Sequence, residues 1–351
     1  MPLLQERWPR LSSLPKVSLA QVPTPLEHAS RLSDAVGAEV WIKRDDKTSA
    51  RYGGNKVRKL EHILGAARDA RADAIVTTGA IGSHHVLTTA LFGREQGMEV
   101  HAVMIAQPRS PHAEENARAD LAAGAILHPV PTAALVPAAM AAVAARLRFS
   151  GKRPVLVPPG GTDIQGVIGY VEAGLELAQD LIGLRGRDPD AIYVALGSGG
   201  TALGLAIGLA AAGVMVPVIA VRVTPRGLLN RPMLSALGSA VVSHLRDRDD
   251  RFPRIAEIAL SNLIIDEAEL GGGYGVPTVL GARAGELAAR YASVVCDSTY
   301  TQKTLAALLR DAGGPRRAQR LLYVHTLSSA PMEPLLVGAP PLPKKLAALL
   351  R

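Results

Sequence analysis

The chain has 351 residues, 48% of them hydrophobic and 3% aromatic, with a formal net charge of +8. That length exceeds what one compact core usually carries, so two lobes are expected, and an Ala, Val and Leu core with few rings points to helices packed on buried sheets. The arginines are scattered among acids with no basic block interleaved with aromatics, which argues against nucleic acid as a partner. The single cysteine, Cys296, excludes an internal disulfide and fits a reducing, cytoplasmic compartment.

In chain order, Met1 to Arg10 contains Glu6 and Arg7 and no long apolar stretch, so no signal peptide is expected. Val40 to Lys43 reads as a short strand running into the charged loop Arg44-Asp45-Asp46. There follows Arg51-Tyr52-Gly53-Gly54-Asn55-Lys56-Val57-Arg58-Lys59-Leu60, after which Leu60, Ile63, Leu64 and Ala67 form the apolar stripe of an amphipathic helix. Lys56 therefore falls in the first turn of a helix, straight after a flexible glycine pair. The positive helix end and the neighbouring Arg58 and Lys59 are expected to disfavour its protonated form. An amine of lowered pKa can attack a carbonyl at neutral pH.

Further strands are expected at Ala74 to Thr78, Glu99 to Ile105, Ala125 to His128, Pro154 to Val157, Ala191 to Leu196, Pro217 to Val223, Ser293 to Asp297 and Leu321 to His325. Helical patterns cover 83 to 96, 133 to 148, 164 to 180, 201 to 212 and 301 to 312. This alternation implies an α/β protein with parallel sheets and right-handed crossovers. Pro158-Pro159-Gly160-Gly161 reads as a crossing between lobes, and 224 to 270 shows no clear period. Apolar runs such as Ala202 to Val216 are glycine-punctuated and too short to span a membrane. Cys296 ends an apolar run and reads as core.

Two strand-to-helix junctions carry chemistry. At Thr77-Thr78-Gly79-Ala80-Ile81-Gly82-Ser83-His84-His85, the amides at a helix start suit a substrate carboxylate, with Ser83 adding a hydroxyl and His84 and His85 ring nitrogens. Ser83 as a plain N-cap is an equally sufficient reading. Adjacent histidines on a helix face different ways and no third ligand has zinc-like spacing, so no metal is expected. Neither Ser83 nor Ser198 lies in a nucleophile elbow. At Leu196-Gly197-Ser198-Gly199-Gly200-Thr201, successive amides and two hydroxyls form an anion cradle. A Walker site would need a lysine that is absent. A dinucleotide site lacks the acid for a ribose, although Arg222 or Arg226 keeps an NADP oxidoreductase open. A small phosphate ester is the third reading, and a phosphate cup together with an amine is what pyridoxal phosphate requires.

These motifs resemble the pyridoxal-phosphate enzymes of the 1-aminocyclopropane-1-carboxylate deaminase and D-cysteine desulfhydrase family, of tryptophan synthase β-like fold (fold type II). The likeness spans nearly the whole chain: Thr24-Pro25-Leu26, Ile42 to Asp46, Gly53 to Glu61, Gly160-Gly161-Thr162 with Gly169-Tyr170, Gly197 to Thr201, Gly273 to Thr278, and Asp297 to Lys303. It implies two open, twisted, mostly parallel sheets flanked by helices, with residues 1–58 and 166–351 as a large cofactor-binding domain and 59–165 as a small one. It makes Lys56 the cofactor lysine, with Asn55, His84, Gly197, Ser198, Gly199, Gly200, Thr201 and Thr301 also on the cofactor. Ser83, His84, His85, Tyr274 and Tyr300 fall on the substrate, and Lys56, Ser83, Tyr274 and Tyr300 are the catalytic set.

Thr301 stands where the deaminases of the family place a glutamate against the pyridine nitrogen and the desulfhydrases a threonine. A hydroxyl there gives a weaker electron sink, which favours α,β-elimination over ring opening. Two departures stand out: Ser83-His84-His85 in place of Ser-Asn-His, and His325-Thr326-Leu327-Ser328 in place of His-Thr-Gly-Gly. The resemblance implies a lyase releasing pyruvate and ammonia from a small β-substituted amino acid, and a homodimer. Aminocyclopropane carboxylate deamination, cysteate sulfo-lyase activity, and a non-catalytic cofactor-binding protein are the alternatives.

Overall fold

The computed structural model describes residues 3–184, 186, 188–314, 316 and 319–351; Met1 and Pro2 of the N-terminal stretch read above lie outside them. The chain divides into two compact units. The first comprises Met1–Leu14, Ala20–Arg58 and Gly166–Ala330, and the second Pro15–Leu19, Lys59–Gln165 and Pro331–Arg351. Among the described residues the strands are, in chain order, β1 (Leu26–His28), β2 (Glu39–Lys43), β3 (Ala74–Ala80), β4 (Glu99–Ile105), β5 (Ile126–Pro129), β6 (Pro154–Leu156), β7 (Ala191–Leu196), β8 (Val218–Arg222), β9 (Leu263–Asp266) and β10 (Arg320–Val324).

In the first unit the sheet order is β1-β2-β10-β7-β8-β9, parallel except for β1. Tyr323 of β10 lies opposite Ile42 of β2 and Tyr193 of β7. Because β2, β10 and β7 are neighbours and parallel, the segments leaving their C-terminal ends emerge side by side. Those segments are Arg44 to Lys56, His325 to Ser328, and Gly197 to Thr201. Ligands of open α/β sheets bind at such carboxyl ends. One face of the sheet packs Val40, Tyr193, Val221 and Tyr323 against Ala284 and Ala288 of the helix Val279–Ala292 and Leu305 and Leu308 of the helix Thr301–Ala312. In the second unit the order is β5-β4-β3-β6, all parallel, and β3 delivers the chain to Ser83 and the helix His84–Glu95.

Several expectations are corrected. Ser293 to Asp297 joins no ladder: Ser293 ends the preceding helix in a left-handed conformation, Val294 packs into the core, and the Asp297 carboxylate accepts from the Tyr300 amide in the turn into the next helix. The unplaced stretch 224 to 270 holds the helices Arg231–Arg246 and Ala256–Ser261 and the edge strand β9. Residues 331–351, expected in the large domain, belong to the second unit, where Leu346, Leu349 and Leu350 share a core with Ile81, Val86, Ala102 and Met104. Among the described residues no helix is long and apolar enough to cross a membrane.

Candidate active site

Lys56 is the second residue of the helix Asn55–Asp69. The approach to it is tightly built. Gly54 has φ +94°, and a Cβ there would meet the Thr326 carbonyl oxygen at 2.6 Å, so only glycine fits. The Gly53 amide donates to Ser328 Oγ at 2.9 Å, which gives the Ser328 departure a structural task in the turn before the lysine. Arg58, one half-turn on, donates to Asp45 Oδ1, Glu176 Oε1 and Oε2, and Thr24 Oγ1, all buried. Burial opposes ionisation of Glu176, but Arg58 and Lys43 outweigh it and hold the carboxyl at about 2.

Lys56 Nζ donates to Asn55 Oδ1 at 3.3 Å, and Asn55 Nδ2 donates to Thr201 Oγ1 at 2.9 Å. The asparagine thus bridges the amine to the glycine loop. Burial pushes the amine down to about 8, with the Asp297 carboxylate pulling the other way. The lowering expected from Arg58 and Lys59 has a different source, since Arg58 is neutralised by its acids and Lys59 is bound to Gly160 O and Thr162 Oγ1 in the second unit.

The loop Gly197 to Thr201 follows β7 and opens the helix Gly200–Ala211. Gly199 has φ +93° and would carry a Cβ only 2.8 Å from Leu234, while a Cβ on Gly197 would meet the Tyr300 ring at 3.0 Å. Thr224 Oγ1 donates to Gly197 O at 3.0 Å. A bare backbone cradle at a helix N-terminus, with Thr201 and the lysine joined through Asn55, fits a phosphate ester that also carries an aldehyde.

The Tyr300 and Tyr274 hydroxyls are 2.8 Å apart with rings edge to face. Burial pushes Tyr274 up to about 12 and Tyr300 further, so both are neutral phenols at physiological pH. Lys303 Nζ, donating to Leu270 O and Gly273 O, holds the Tyr274 loop against the helix that carries Tyr300. Asp297 organises the turn into that helix: Oδ2 accepts from the amides of Thr299 and Tyr300, and Oδ1 from the Thr301 hydroxyl at 2.6 Å. The one hydrogen of Thr301 is thereby directed at a carboxylate, which leaves its oxygen an acceptor. Asp297 and Lys303 are functional neighbours that sequence reasoning named only as parts of a motif. An aspartate that accepts from the backbone amide two residues on makes an Asx turn, a local device that the sequence could have offered.

In the second unit, Ser83 occupies the N-cap position of the helix His84–Glu95, as one of its two readings had it, but its side chain makes no capping hydrogen bond. His85 is buried with Nε2 2.9 Å from Thr77 Oγ1 of β3. His84 Nε2 is 2.6 Å from His112 Nε2. Among the described residues no group of three or more His, Cys, Asp or Glu is arranged to hold a metal ion. Cys296 lies 3.7 Å from the Tyr323 hydroxyl, and burial pushes its thiol up to about 12. Arg222 and Arg226 both bind Glu267, and buried Arg222 also donates to Leu229 O, which engages the cations that the NADP reading needs.

A family model described as pyridoxal-phosphate dependent enzyme matches residues 17–326. The chain belongs to this pyridoxal-phosphate dependent family. Within it, D-cysteine desulfhydrases of Salmonella newport and Salmonella heidelberg are each 34% identical to it over 334 residues, covering 90% of this chain and 94% of the relative. Among solved structures, one described as an ACC deaminase homologue matches with TM-score 0.75 and 27% identity over 100% of both chains. Threonine deaminase isoform 2 of Solanum lycopersicum matches the fold at TM-score 0.58 and 15% identity, covering 99% of this chain and 86% of its own. The pyridoxal-phosphate enzyme described here therefore has the fold type II architecture, and the NADP reading is set aside.

Proposed function

We propose that this enzyme catalyses α,β-elimination from a small β-substituted amino acid of the D-cysteine class, giving pyruvate and ammonia. The observation that carries the reading is the Lys56–Asn55–Thr201 bridge, which ties a deprotonatable amine to a phosphate-type cradle. The 34% identity to D-cysteine desulfhydrases and the threonine at 301 support elimination over ring opening. When bound, pyridoxal phosphate withdraws electrons from the substrate α-carbon and acidifies its proton. Lys56 Nζ takes that proton as general base, the β substituent departs with its bonding electrons, and water converts the released unsaturated amine to keto acid and ammonia. The Tyr274–Tyr300 pair, both neutral, offers a phenolic proton to the departing group. Amides 197 to 201 hold the cofactor ester, and on the family resemblance Ser83 and the turn after it take the substrate carboxylate. The single cysteine and the family likeness support a cytoplasmic homodimer, which sedimentation of the purified protein tests.

The decisive experiment is a panel of D- and L-cysteine, β-chloroalanine, cysteate, serine and aminocyclopropane carboxylate, read by keto-acid and ammonia release. Purified protein is expected to be yellow, with borohydride fixing the cofactor to Lys56. Lys56→Ala is expected to abolish turnover. Unaltered turnover in that variant, or no keto acid from any member of the panel, overturns the reading.

A further inference from the structure

The helix Pro111–Ala122 of the second unit carries two fully buried polar side chains one turn apart, Asn116 and Asp120. Asn116 Nδ2 donates to the carbonyl oxygen of Gly82, in the turn before Ser83, at 2.9 Å. Its Oδ1 has no hydrogen-bond partner among the described residues, and neither has either carboxyl oxygen of Asp120. Ala113 and Ala117 of the same helix pack into an apolar core with Ile81, Val86, Ala102 and Met104. Three acceptor oxygens without a donor are costly in such a place, and an isolated carboxylate there takes up a proton sooner than remain charged. One proton on Asp120 answers both defects. It removes the charge, and it makes one carboxyl oxygen a donor with an acceptor, Asn116 Oδ1, one turn away.

The charged and titratable groups of the surrounding elements are engaged elsewhere. On the helix His84–Glu95, His84 lies by the Asn116 amide nitrogen, and exposed Arg94 lies by Gly124. Strand β4 turns Ala102 and Met104 to this core and Glu99 and His101 to the opposite face, where His101 meets His128. Glu333, Lys344 and Lys345 of the C-terminal segment are exposed. On the helix itself, His112 lies by Asn116, Glu114 pairs with Arg109, and Arg118 donates to the Ala339 and Pro340 carbonyls. Burial is accordingly the single influence on the Asp120 carboxyl, and it pushes that group well above the usual carboxylate range.

We propose that Asp120 is held as a neutral carboxylic acid whose hydrogen serves Asn116 Oδ1, a proton-held latch that closes the helix Pro111–Ala122 over the turn before Ser83. The sign of its pH dependence follows from where the proton is held. The closed helix keeps the proton, whereas an opened helix exposes an ordinary aspartate that loses it. Closure is therefore favoured at low pH and weakens as pH rises above the ordinary aspartate range, by at most about tenfold in the opening equilibrium per pH unit. The weakening continues for as long as the closed form keeps its proton.

The first test is infrared spectroscopy of full-length holoenzyme labelled with ¹³C-aspartate. At neutral pH a protonated carboxyl band is expected, and it is expected to be missing in Asp120→Asn. The second is hydrogen exchange of the amides in the helix Pro111–Ala122, corrected for the intrinsic pH dependence of exchange, between about pH 5 and pH 8. In the unaltered protein the opening equilibrium is expected to rise with pH. In Asp120→Asn, where an amide N–H stands in for the acid's hydrogen at every pH, the rise is expected to vanish and protection at the upper end to increase. An ionised Asp120 at neutral pH, as a bound cation would hold it, overturns the proposal. So does an opening equilibrium that is flat with pH in the unaltered protein, or one that rises equally in Asp120→Asn. Neither measurement needs turnover, so both stand apart from the fate of the elimination reading.

Discussion

The lowered pKa of Lys56 comes from its burial, not from the cations beside it in sequence. With the amine at about 8, it is mostly protonated at pH 7 and mostly free at pH 9. The rate at which apoprotein captures pyridoxal phosphate is therefore expected to rise through pH 8 and level off above it, followed by absorbance after mixing. Asp297 pulls that midpoint upward, so Asp297→Asn is expected to shift it to lower pH; a midpoint that stays put would remove Asp297 from the account. The tyrosine pair makes a second prediction at this scale. As neutral phenols 2.8 Å apart, Tyr274 and Tyr300 fit the proton-donor role proposed above and not that of phenolates. Loss of the hydroxyl in Tyr300→Phe is expected to lower kcat by roughly 10²–10⁴-fold with the cofactor still bound, the range for a positioned general acid. Unchanged kcat with a poor leaving group such as serine would exclude the role.

At the scale of elements, the first turn of the helix Asn55–Asp69 is held by parts far apart in sequence. Gly54→Ala forces a side chain into a left-handed position against the Thr326 carbonyl, and is expected to cost about 1–3 kcal/mol and to weaken cofactor retention, measured by thermal unfolding and dialysis. Glu176→Gln leaves Arg58 short of a charge in a buried network, an expected loss of about 3–5 kcal/mol. The unaltered Glu176 has a folded pKa depressed to about 2. Its stabilisation is present above the ordinary carboxylate range and is lost as pH falls through about 2, so stability is expected to drop from about pH 5 downward.

How much of this was legible depends on whether an element carries its own period. Glu99–Ile105, Ala191–Leu196 and Thr301–Ala312 have the bounds read from the sequence because each strand is a mostly apolar run buried on both faces, and the helix carries one apolar stripe. The helix Arg231–Arg246 does carry signals, an Asn230 cap on the Met233 amide and a stripe of Leu234, Val241, Val242 and Leu245, but Gly238 interrupts the stripe. Strand β9 is four residues at a sheet edge, too short to show alternation. Ser293 to Asp297 looks like a strand because its valines are adjacent; the helix end at Ser293 and the Asp297 turn break the extended run, and Val294 is drawn into the core. In the site, the glycines and Lys56 were readable as local motifs. The Ser328 bond to Gly53 and the Asn116 and His112 neighbours of His84 span long separations and were not.

The whole molecule is a chain that passes between its two units more than once, and the last crossing is the one sequence reasoning placed elsewhere. After Ala330 the chain enters the second unit, where Gln107 bridges to Leu350 in parallel, and Gln107 Oε1 accepts from the Gly82 amide in the turn before Ser83. Leu346, Leu349 and Leu350 close the core over Ile81, Val86 and Met104. Removing a buried leucine side chain typically costs about 2–5 kcal/mol, so losing three together exceeds what one unit can absorb. A chain ending at Ala330 is therefore expected to lose amide protection in β4 and in the helix Pro111–Ala122, measured by hydrogen exchange. Strands β7, β8 and β10, whose core lies in the other unit, are expected to keep theirs. Equal loss of protection in both units would show that residues 331–351 support the large sheet as well, and that the division of the chain into two separately packed cores does not describe its stability.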